Sequence, residues 1–77
     1  MVQIHSPLPG TFYRSSSPDK PPFKADGDAV SVGDVIGLIE VMKSFNEVKS
    51  EVAGRNIRFE TDNEEPVMAG AVLARVD

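Results

Sequence analysis

Residues 35–48 have the sequence VIGLIEVMKSFNEV, and this stretch decides the fold. Short runs rich in Val, Ile and Phe occupy positions 35–39 and 45–48, and such runs predict β-strands. Met42 and Lys43 then fall at the tip of a tight hairpin between the strands. Asn-Gly or Asp-Gly is the usual choice for such a turn, so Met-Lys departs from turn chemistry. A turn with unfavourable residues indicates that one of them is kept because it must be exposed for function, and Lys43 is the candidate.

The centre of this stretch carries a motif. Residues 40–43 are Glu-Val-Met-Lys, and they resemble the modification motif of biotinyl domains, most often Glu-Ala-Met-Lys-Met, in which an amide joins the lysine to biotin. Val41 replaces the usual Ala, and Ser44 replaces the usual Met or Leu. The resemblance implies that Lys43 is the sole attachment site. The other cofactor-site positions that it implies are Glu40, Val41, Met42 and Ser44, with Met42 beside the attached biotin.

The resemblance covers nearly the whole chain. Further matches are residues 6–7, 9–14, 17–19, 33–34 and 66–67, together with Asn46 and Gly54. They are similar to the biotin carboxyl carrier proteins of acetyl-CoA carboxylase, within the biotin/lipoyl attachment family. The resemblance implies a non-catalytic carrier that a biotin protein ligase loads at Lys43. It also implies a biotin carboxylase, which uses ATP and bicarbonate, and a carboxyltransferase, which makes malonyl-CoA from acetyl-CoA for fatty acid synthesis.

The second half of the chain echoes the first. Residues 30–40 recur at an offset of 37 positions, and residues 4–10 recur at an offset of 44. Short strands broken by Pro and Gly predict an all-β domain, which we expect to span residues 1–77. The repeat indicates two copies of one strand-turn-strand unit, and neither copy can bury its apolar face alone. We therefore expect a flattened barrel or sandwich of two pseudo-symmetric four-stranded units, the hammerhead fold that the resemblance implies. Lys43 then lies where the first copy meets the second, at the opposite pole from both termini.

The first copy carries an insertion. The two offsets differ by seven, and the seven extra residues lie within residues 14–23. Serines and prolines there exclude a strand and predict a protruding loop with a restricted backbone. Composition alone favours a plain flexible surface loop, whereas the resemblance implies the thumb of bacterial and plastid carrier proteins, which leans over the biotin ring. The thumb residues are Ser15, Ser16, Ser17, Pro18 and Asp19.

Composition excludes several kinds of site. The 77 residues include no Cys and a single histidine, His5, which cannot form a zinc site or a catalytic triad. We expect no metal, and we expect His5 to be a plain edge residue. A net charge of −4 without a basic cluster argues against nucleic-acid binding. No apolar run is long enough to span a membrane, so we expect a cytoplasmic location, or the plastid stroma if a transit peptide has been removed.

Apolar residues of the predicted strands are expected to form the core. Its expected members are Val2, Ile4, Phe12, Val30, Val35, Ile36, Leu38, Val48, Val52, Phe59, Val67, Leu73 and Val76. Asn56 is polar where its repeat partner is Phe12. The sequence leaves open whether Ile57 faces inward there through a local shift.

Glycines predict the tight turns. Gly27 and Gly33 are expected to supply the positive φ that other residues resist. In the second copy we expect Asn63 to do so, because Glu64 stands where the resemblance places a glycine.

Several alternatives stay open at this point. The host could be a pyruvate, propionyl-CoA or urea-type carboxylase, although the loop and the opening motif favour acetyl-CoA carboxylase. A lipoyl domain shares the fold and the hairpin lysine, but its motif is typically Asp-Lys-Ala, whereas Met42 precedes the lysine here. A β-domain used only for protein contacts predicts that Lys43 can be replaced without consequence. The sequence does not decide whether Met1 is a native start, nor the oligomeric state, nor how Val41 and Ser44 affect the ligase.

Overall fold

Seven short β-strands form two antiparallel sheets. The computed structural model describes residues 2–77, and Met1, which the sequence leaves open as a native start, lies outside the described residues. The strands are β1 (Val2–His5), β2 (Gly10–Tyr13), β3 (Val35–Val41), β4 (Ser44–Lys49), β5 (Arg58–Phe59), β6 (Glu65–Val67) and β7 (Val72–Val76). One sheet has the order β1-β7-β5, and the other has the order β4-β3-β2-β6. No helix occurs within residues 2–77, and the predicted all-β class is confirmed.

Each half of the chain completes the sheet of the other half. β4, the first strand of the second copy, pairs with β3 of the first, and β1 pairs with β7 in the same antiparallel sense. Both pairings skip one residue at equivalent places, Ile36 in β3 and Leu73 in β7. An extra residue of this kind bends a strand and increases its twist. The two matched bulges therefore bend equivalent strands of the two sheets in the same way.

Two buried serines at equivalent positions make the same hydrogen bonds. The hydroxyls of Ser6 and Ser50 each donate to the carbonyl oxygen two residues later, at 2.6 Å. The N–H of Gly70 donates to the carbonyl of Ser6, and the N–H of Gly33 donates to the carbonyl of Ser50, both at 2.8 Å. Buried polar groups require such partners. The sequence repeat is thus also a repeat of hydrogen bonds.

The sheet that contains β1 has three strands instead of the expected four. At the place of its fourth strand a single bridge joins Val30 to Gly54. This bridge is the repeat equivalent of the contact between Gly10 and Val67, where β2 pairs with β6. The predicted two-fold arrangement is therefore present, with one strand reduced to a bridge.

The core lies between the two sheets. It contains Ile4, Phe12, Val30, Ile36, Ile39, Val48, Ile57, Val67, Leu73, Ala74 and Val76. The predicted burial of Ile4, Phe12, Val30, Ile36, Leu38, Val48, Val67, Leu73 and Val76 is confirmed. Val35, Val52 and Phe59 are only half-buried. The prediction for Val2 is wrong, because this residue at the start of edge strand β1 is 47% exposed.

The predicted core omitted Ile39 and Ala74, which are both fully buried. The extra residue at Ile36 changes the phase of the strand, so that Ile36 and Ile39 both belong to the core. Ile57 is fully buried as well, whereas its neighbour Asn56 is exposed. Asn56 has a φ of 58°, and this left-handed residue provides the local shift that the sequence left open.

A left-handed residue also marks the turn before β6, but it is not the predicted one. Gly27 and Gly33 have φ values of 95° and 91°, as expected. In the second copy the positive φ, 63°, belongs to Glu64, so the prediction for Asn63 is wrong. The Asn63 side chain instead accepts a hydrogen bond from the N–H of Arg14, at 2.7 Å. A glutamate in this conformation is strained by about 1 kcal/mol relative to glycine.

We expect Glu64→Gly to raise the free energy of unfolding by up to about 1 kcal/mol, because the strain that glycine relieves exceeds the cost of the extra freedom that it gives the unfolded chain. The matched control, Asn63→Gly, should lower the free energy of unfolding by about 1 kcal/mol, because it removes the hydrogen bond to Arg14 and gives the unfolded chain more conformational freedom. Urea unfolding of the two variants measures both effects. Equal destabilisation by both substitutions would contradict the strain at Glu64.

Candidate functional site

The β3–β4 hairpin ends in a two-residue turn that is left-handed at both positions. Met42 has a φ of 49° and Lys43 a φ of 68°, and Val41 pairs with Ser44 to close the turn. Two consecutive positive φ values are typical of the type I′ turn, which suits the twist of the strands but favours Asn and Gly. A residue other than glycine in this region is strained by about 1–3 kcal/mol. The hairpin predicted from the sequence is present, and its tip holds two residues that turn chemistry disfavours.

The side chains at the tip are open to solvent. Met42 is 93% exposed, and Lys43 is exposed as well. The ion pairs found within residues 2–77 do not include Lys43. Of the nearby acids, Glu40 accepts a hydrogen bond from Tyr13, and Glu47 lies 3.9 Å from the amine of Lys49. The Lys43 amine is therefore a primary amine that an acylating enzyme can reach.

The other residues of the predicted motif have different environments. Glu40 is half-buried in β3 and faces Tyr13. Val41 is half-buried and packs against the core, so it anchors the strand beneath the turn. Ser44 is exposed at the first position of β4. The motif thus combines two anchoring residues with three exposed ones, Met42, Lys43 and Ser44.

Tyr13 connects the end of β2 to the base of the hairpin. Its hydroxyl donates to Oε1 of Glu40 at 3.1 Å, and its ring centroid lies 5.9 Å from that of Phe45. The bond to the Glu40 carboxylate raises the pKa of Tyr13 above 10.0, and partial burial and the charge of Glu64 raise it further. Phe45 is 58% exposed, so the two rings form an apolar surface beside the turn.

The predicted loop at residues 14–23 is closed at its base. The N–H of Phe23 donates to the carbonyl of Arg14 at 2.8 Å. One step further out, Ser15 and Pro22 form an antiparallel bridge. The loop therefore leaves and re-enters the domain as a narrow, hydrogen-bonded projection.

Local hydrogen bonds also shape the tip of this loop. The N–H of Lys20 donates to the carbonyl of Ser17 at 3.1 Å, and the hydroxyl of Ser17 donates to Oδ1 of Asp19 at 2.7 Å. The hydroxyl stabilises the ionised carboxylate and so lowers the pKa of Asp19. These bonds, together with the prolines, restrict the loop to fewer conformations than a Gly-Ser linker has.

Arg14 fastens the loop to the second copy. Its guanidinium carbon lies 4.1 Å from the centre of the Phe59 ring, and Nη2 lies 3.8 Å from Oδ1 of Asp26. Nη2 also donates to the carbonyl of Lys24 at 3.3 Å, and the backbone N–H bonds to Asn63. A cation over an aromatic face adds attraction beyond the ion pair. Arg14 thus fixes the direction in which the loop projects.

A cleft of about 290 Å³ lies between this loop and the hairpin. We call it the loop cleft, and its lining residues are Tyr13, Ser15, Ser16, Ser17, Pro18, Phe45, Asn63 and Glu64. Hydroxyl groups line the loop side, and the aromatic pair lines the hairpin side. Small-molecule sites typically combine apolar walls with a few polar groups in this way.

The sequence predicted one wall of the loop cleft and missed the other. The predicted loop residues 15–18 line it, whereas Asp19 does not. The opposite wall contains Tyr13, Phe45 and Glu64, none of which was predicted as a site residue. Two signals could have identified it: an exposed aromatic residue two positions after Lys43, and a glutamate at a turn that requires a positive φ.

Outside the hairpin tip and the loop cleft, residues 2–77 contain few groups suited to binding or catalysis. A second cleft, of about 310 Å³, lies between β1 and β4 and includes His5, which is exposed and bonded to Gln3 as a plain edge residue. Within residues 2–77 no group of three or more His, Cys, Asp or Glu residues could hold a metal ion. In the same range no helix is long and apolar enough to cross a membrane.

Tyrosinate absorbance can test the bond between Tyr13 and Glu40, because Tyr13 is the single tyrosine of the chain. We expect its titration midpoint to lie above 10.0 and to fall in Glu40→Gln, which removes the charged acceptor. Since the unfolded chain releases this proton first, the free energy of unfolding should fall as the pH rises from 10.0 through the raised pKa. Glu47→Gln is the control, because it removes a carboxylate that is not among the groups that raise the pKa of Tyr13. An unchanged midpoint in Glu40→Gln would contradict the contact.

Comparison with known proteins places this chain in a family. The family model described as "Biotin-requiring enzyme" matches residues 2–76. The biotin carboxyl carrier proteins of acetyl-CoA carboxylase from Chlamydia pneumoniae and Chlamydia muridarum are 44% and 45% identical over 73 residues, which cover 95% of this chain. The chloroplastic biotin carboxyl carrier protein 2 of acetyl-CoA carboxylase from Arabidopsis thaliana is 41% identical over 70 residues, 91% of this chain.

The chain covers 44% and 45% of the two chlamydial relatives and 28% of the plant relative. The chain therefore spans less than half of the length of each of these three relatives. Because the family model nevertheless covers residues 2–76 of the chain, the resemblance inferred from the sequence is confirmed. The chain belongs to the biotin/lipoyl family of biotin-requiring enzymes.

Proposed function

We propose that this chain is a biotin carboxyl carrier domain with biotin attached to Lys43 through an amide. The observation that carries the proposal is the strained two-residue turn, which displays an exposed amine outside the ion pairs of the described chain. Strain that persists at a solvent-exposed turn supports a functional role for the residues that it displays. The names of the relatives, carrier proteins of acetyl-CoA carboxylase, support the same role.

Attachment requires little chemistry from the chain itself. The neutral amine of Lys43 attacks a carboxyl carbon that a biotin protein ligase has activated, a C–N bond forms, AMP leaves, and the amine gives up a proton. The product amide is uncharged. The long lysine stem then extends the cofactor beyond the turn, while Val41 holds the turn against the core. We assign the exposed Met42 to contact with the attached biotin, and the exposed Ser44 and Glu47 to contact with the ligase.

The loop cleft fits the ring of the cofactor. Its volume of about 290 Å³ is at the lower end of small-molecule sites and suits a compact bicyclic group. The aromatic surface of Tyr13 and Phe45 would contact the flat faces of the ring, and the hydroxyls of residues 15–17 would bond to its polar edge. We therefore assign the thumb role to residues 14–23, with Ser15, Ser16, Ser17 and Pro18 at the ring and Asp19 shaping the tip.

Bound biotin supplies a site that accepts a carboxyl group and passes it on. We infer that the chain performs no catalysis of its own and serves acetyl-CoA carboxylase, with a biotin carboxylase and a carboxyltransferase as partners. Tethering raises the effective concentration of biotin at both partner sites. We treat residues 1–77 as one carrier domain. The bacterial and chloroplastic relatives support a cytoplasmic or plastid location.

Intact mass tests the attachment. After incubation with biotin, ATP and a biotin protein ligase, the parent chain should gain the mass of one biotinyl group, and Lys43→Arg should gain none. Lys49→Arg, on the same hairpin, is the matched control and should gain one group. Equal addition to the parent and to Lys43→Arg, or addition of lipoate by a lipoate ligase but not of biotin, would overturn the proposal.

A further inference from the structure

Glu64 is the one formally charged side chain among the eight residues that line the loop cleft. Its N–H donates to the carbonyl of Phe12 at 2.7 Å, which fixes the residue against β2. Its φ of 63° is the conformation that glycine or asparagine adopts most easily. If this position served only to form the turn, glycine or asparagine would be favoured there. A glutamate at this φ strains the backbone.

The charge of Glu64 is not neutralised within the cleft. No Lys or Arg is among the described residues that line it. Arg14, which lies between the cleft residues Tyr13 and Ser15 in the chain, directs its guanidinium toward Asp26 and the Phe59 ring. A second acid, Glu40, binds the Tyr13 hydroxyl at the cleft wall, and both acids raise the pKa of Tyr13. The loop cleft is thus a negative environment with apolar walls.

We propose that Glu64 makes the loop cleft selective for charge, so that it holds the uncharged ring of biotin and repels the same ring once that ring carries a carboxylate. This inference rests on the proposed attachment at Lys43. Glu64 is solvent-exposed, so water screens its charge in part, but a second negative charge placed close to it in the cleft is still repelled, whereas a neutral ring is not. Glu64 would thus permit docking of the uncharged ring and disfavour docking of a ring that carries a carboxylate, which would favour exposure of that ring to solvent and partner enzymes.

The test uses the ¹⁵N-labelled, biotinylated chain, with one biotin per chain verified by mass. Amide chemical shifts of Tyr13, residues 15–17, Phe45 and Asn63 report whether the ring occupies the cleft. Shifts are compared among the unmodified chain, the biotinylated chain, and the biotinylated chain with catalytic biotin carboxylase, bicarbonate and ATP. A sample with the same carboxylase but without ATP controls for contact with that enzyme.

We expect biotinylation to shift these amides and carboxylation to return most of them toward the unmodified positions. In Glu64→Gln, which keeps the shape but removes the charge, the shifts should persist after carboxylation. The matched control is Glu65→Gln, which removes the neighbouring charge in β6 outside the cleft lining and should behave like the parent. High salt should restore docking of the carboxylated ring in the parent, because it screens exposed charges.

Each other outcome overturns a specific claim. Shifts that persist after carboxylation in the parent, or equal behaviour of Glu64→Gln and Glu65→Gln, would overturn the role of Glu64. One biotin on Lys43 with no change at the cleft amides would overturn docking in the cleft but leave the attachment intact. A chain that the ligase leaves unmodified would overturn the proposed function and this inference with it.

Discussion

The exchange of edge strands between the two halves of the chain is the constraint on which the rest of the structure depends. β4 completes the sheet of the first copy, and β1 completes that of the second, with matched bulges at Ile36 and Leu73. Because β3 and β4 belong to different copies but pair directly, the junction between the copies is a tight hairpin. The end of β3 is buried against the core, so the turn has little freedom to relax. This is how two residues can be held in a left-handed conformation that neither favours.

The candidate site combines this rigid turn with a loop that only the first copy possesses. Arg14 stacks on Phe59 and pairs with Asp26, which directs the loop toward the hairpin. The loop cleft forms between them, with aromatic, hydroxyl and acidic groups on its walls. The second copy lacks an equivalent insertion. The internal symmetry therefore provides the scaffold, and the departure from symmetry provides the binding surface.

Much of the fold could be predicted from the sequence because the repeat reflects equivalent hydrogen bonds: the hydroxyls of Ser6 and Ser50 donate to the carbonyls two residues later, and the carbonyls of both serines accept from equivalent glycines. The hairpin and its lysine followed from strand propensity on both sides of the turn. Ile39 was missed because a bulge changes the alternation of side chains, and a bulge has no residue signature of its own. The far wall of the cleft was missed because Phe45 and Glu64 meet only through tertiary packing. The identity of the left-handed turn residue was missed because propensity favours asparagine over glutamate, whereas the chain places Glu64 there.

Peptide mapping of the ligase-treated chain tests attachment at Lys43 most directly. Trypsin does not cleave after an acylated lysine, so biotin on Lys43 joins residues 25–43 and 44–49 into one biotinylated peptide, 25–49. Our account predicts this peptide, with fragment ions that place biotin on Lys43. Biotin on Lys20, Lys24 or Lys49, or recovery of unmodified peptides 25–43 and 44–49 alone, would contradict it.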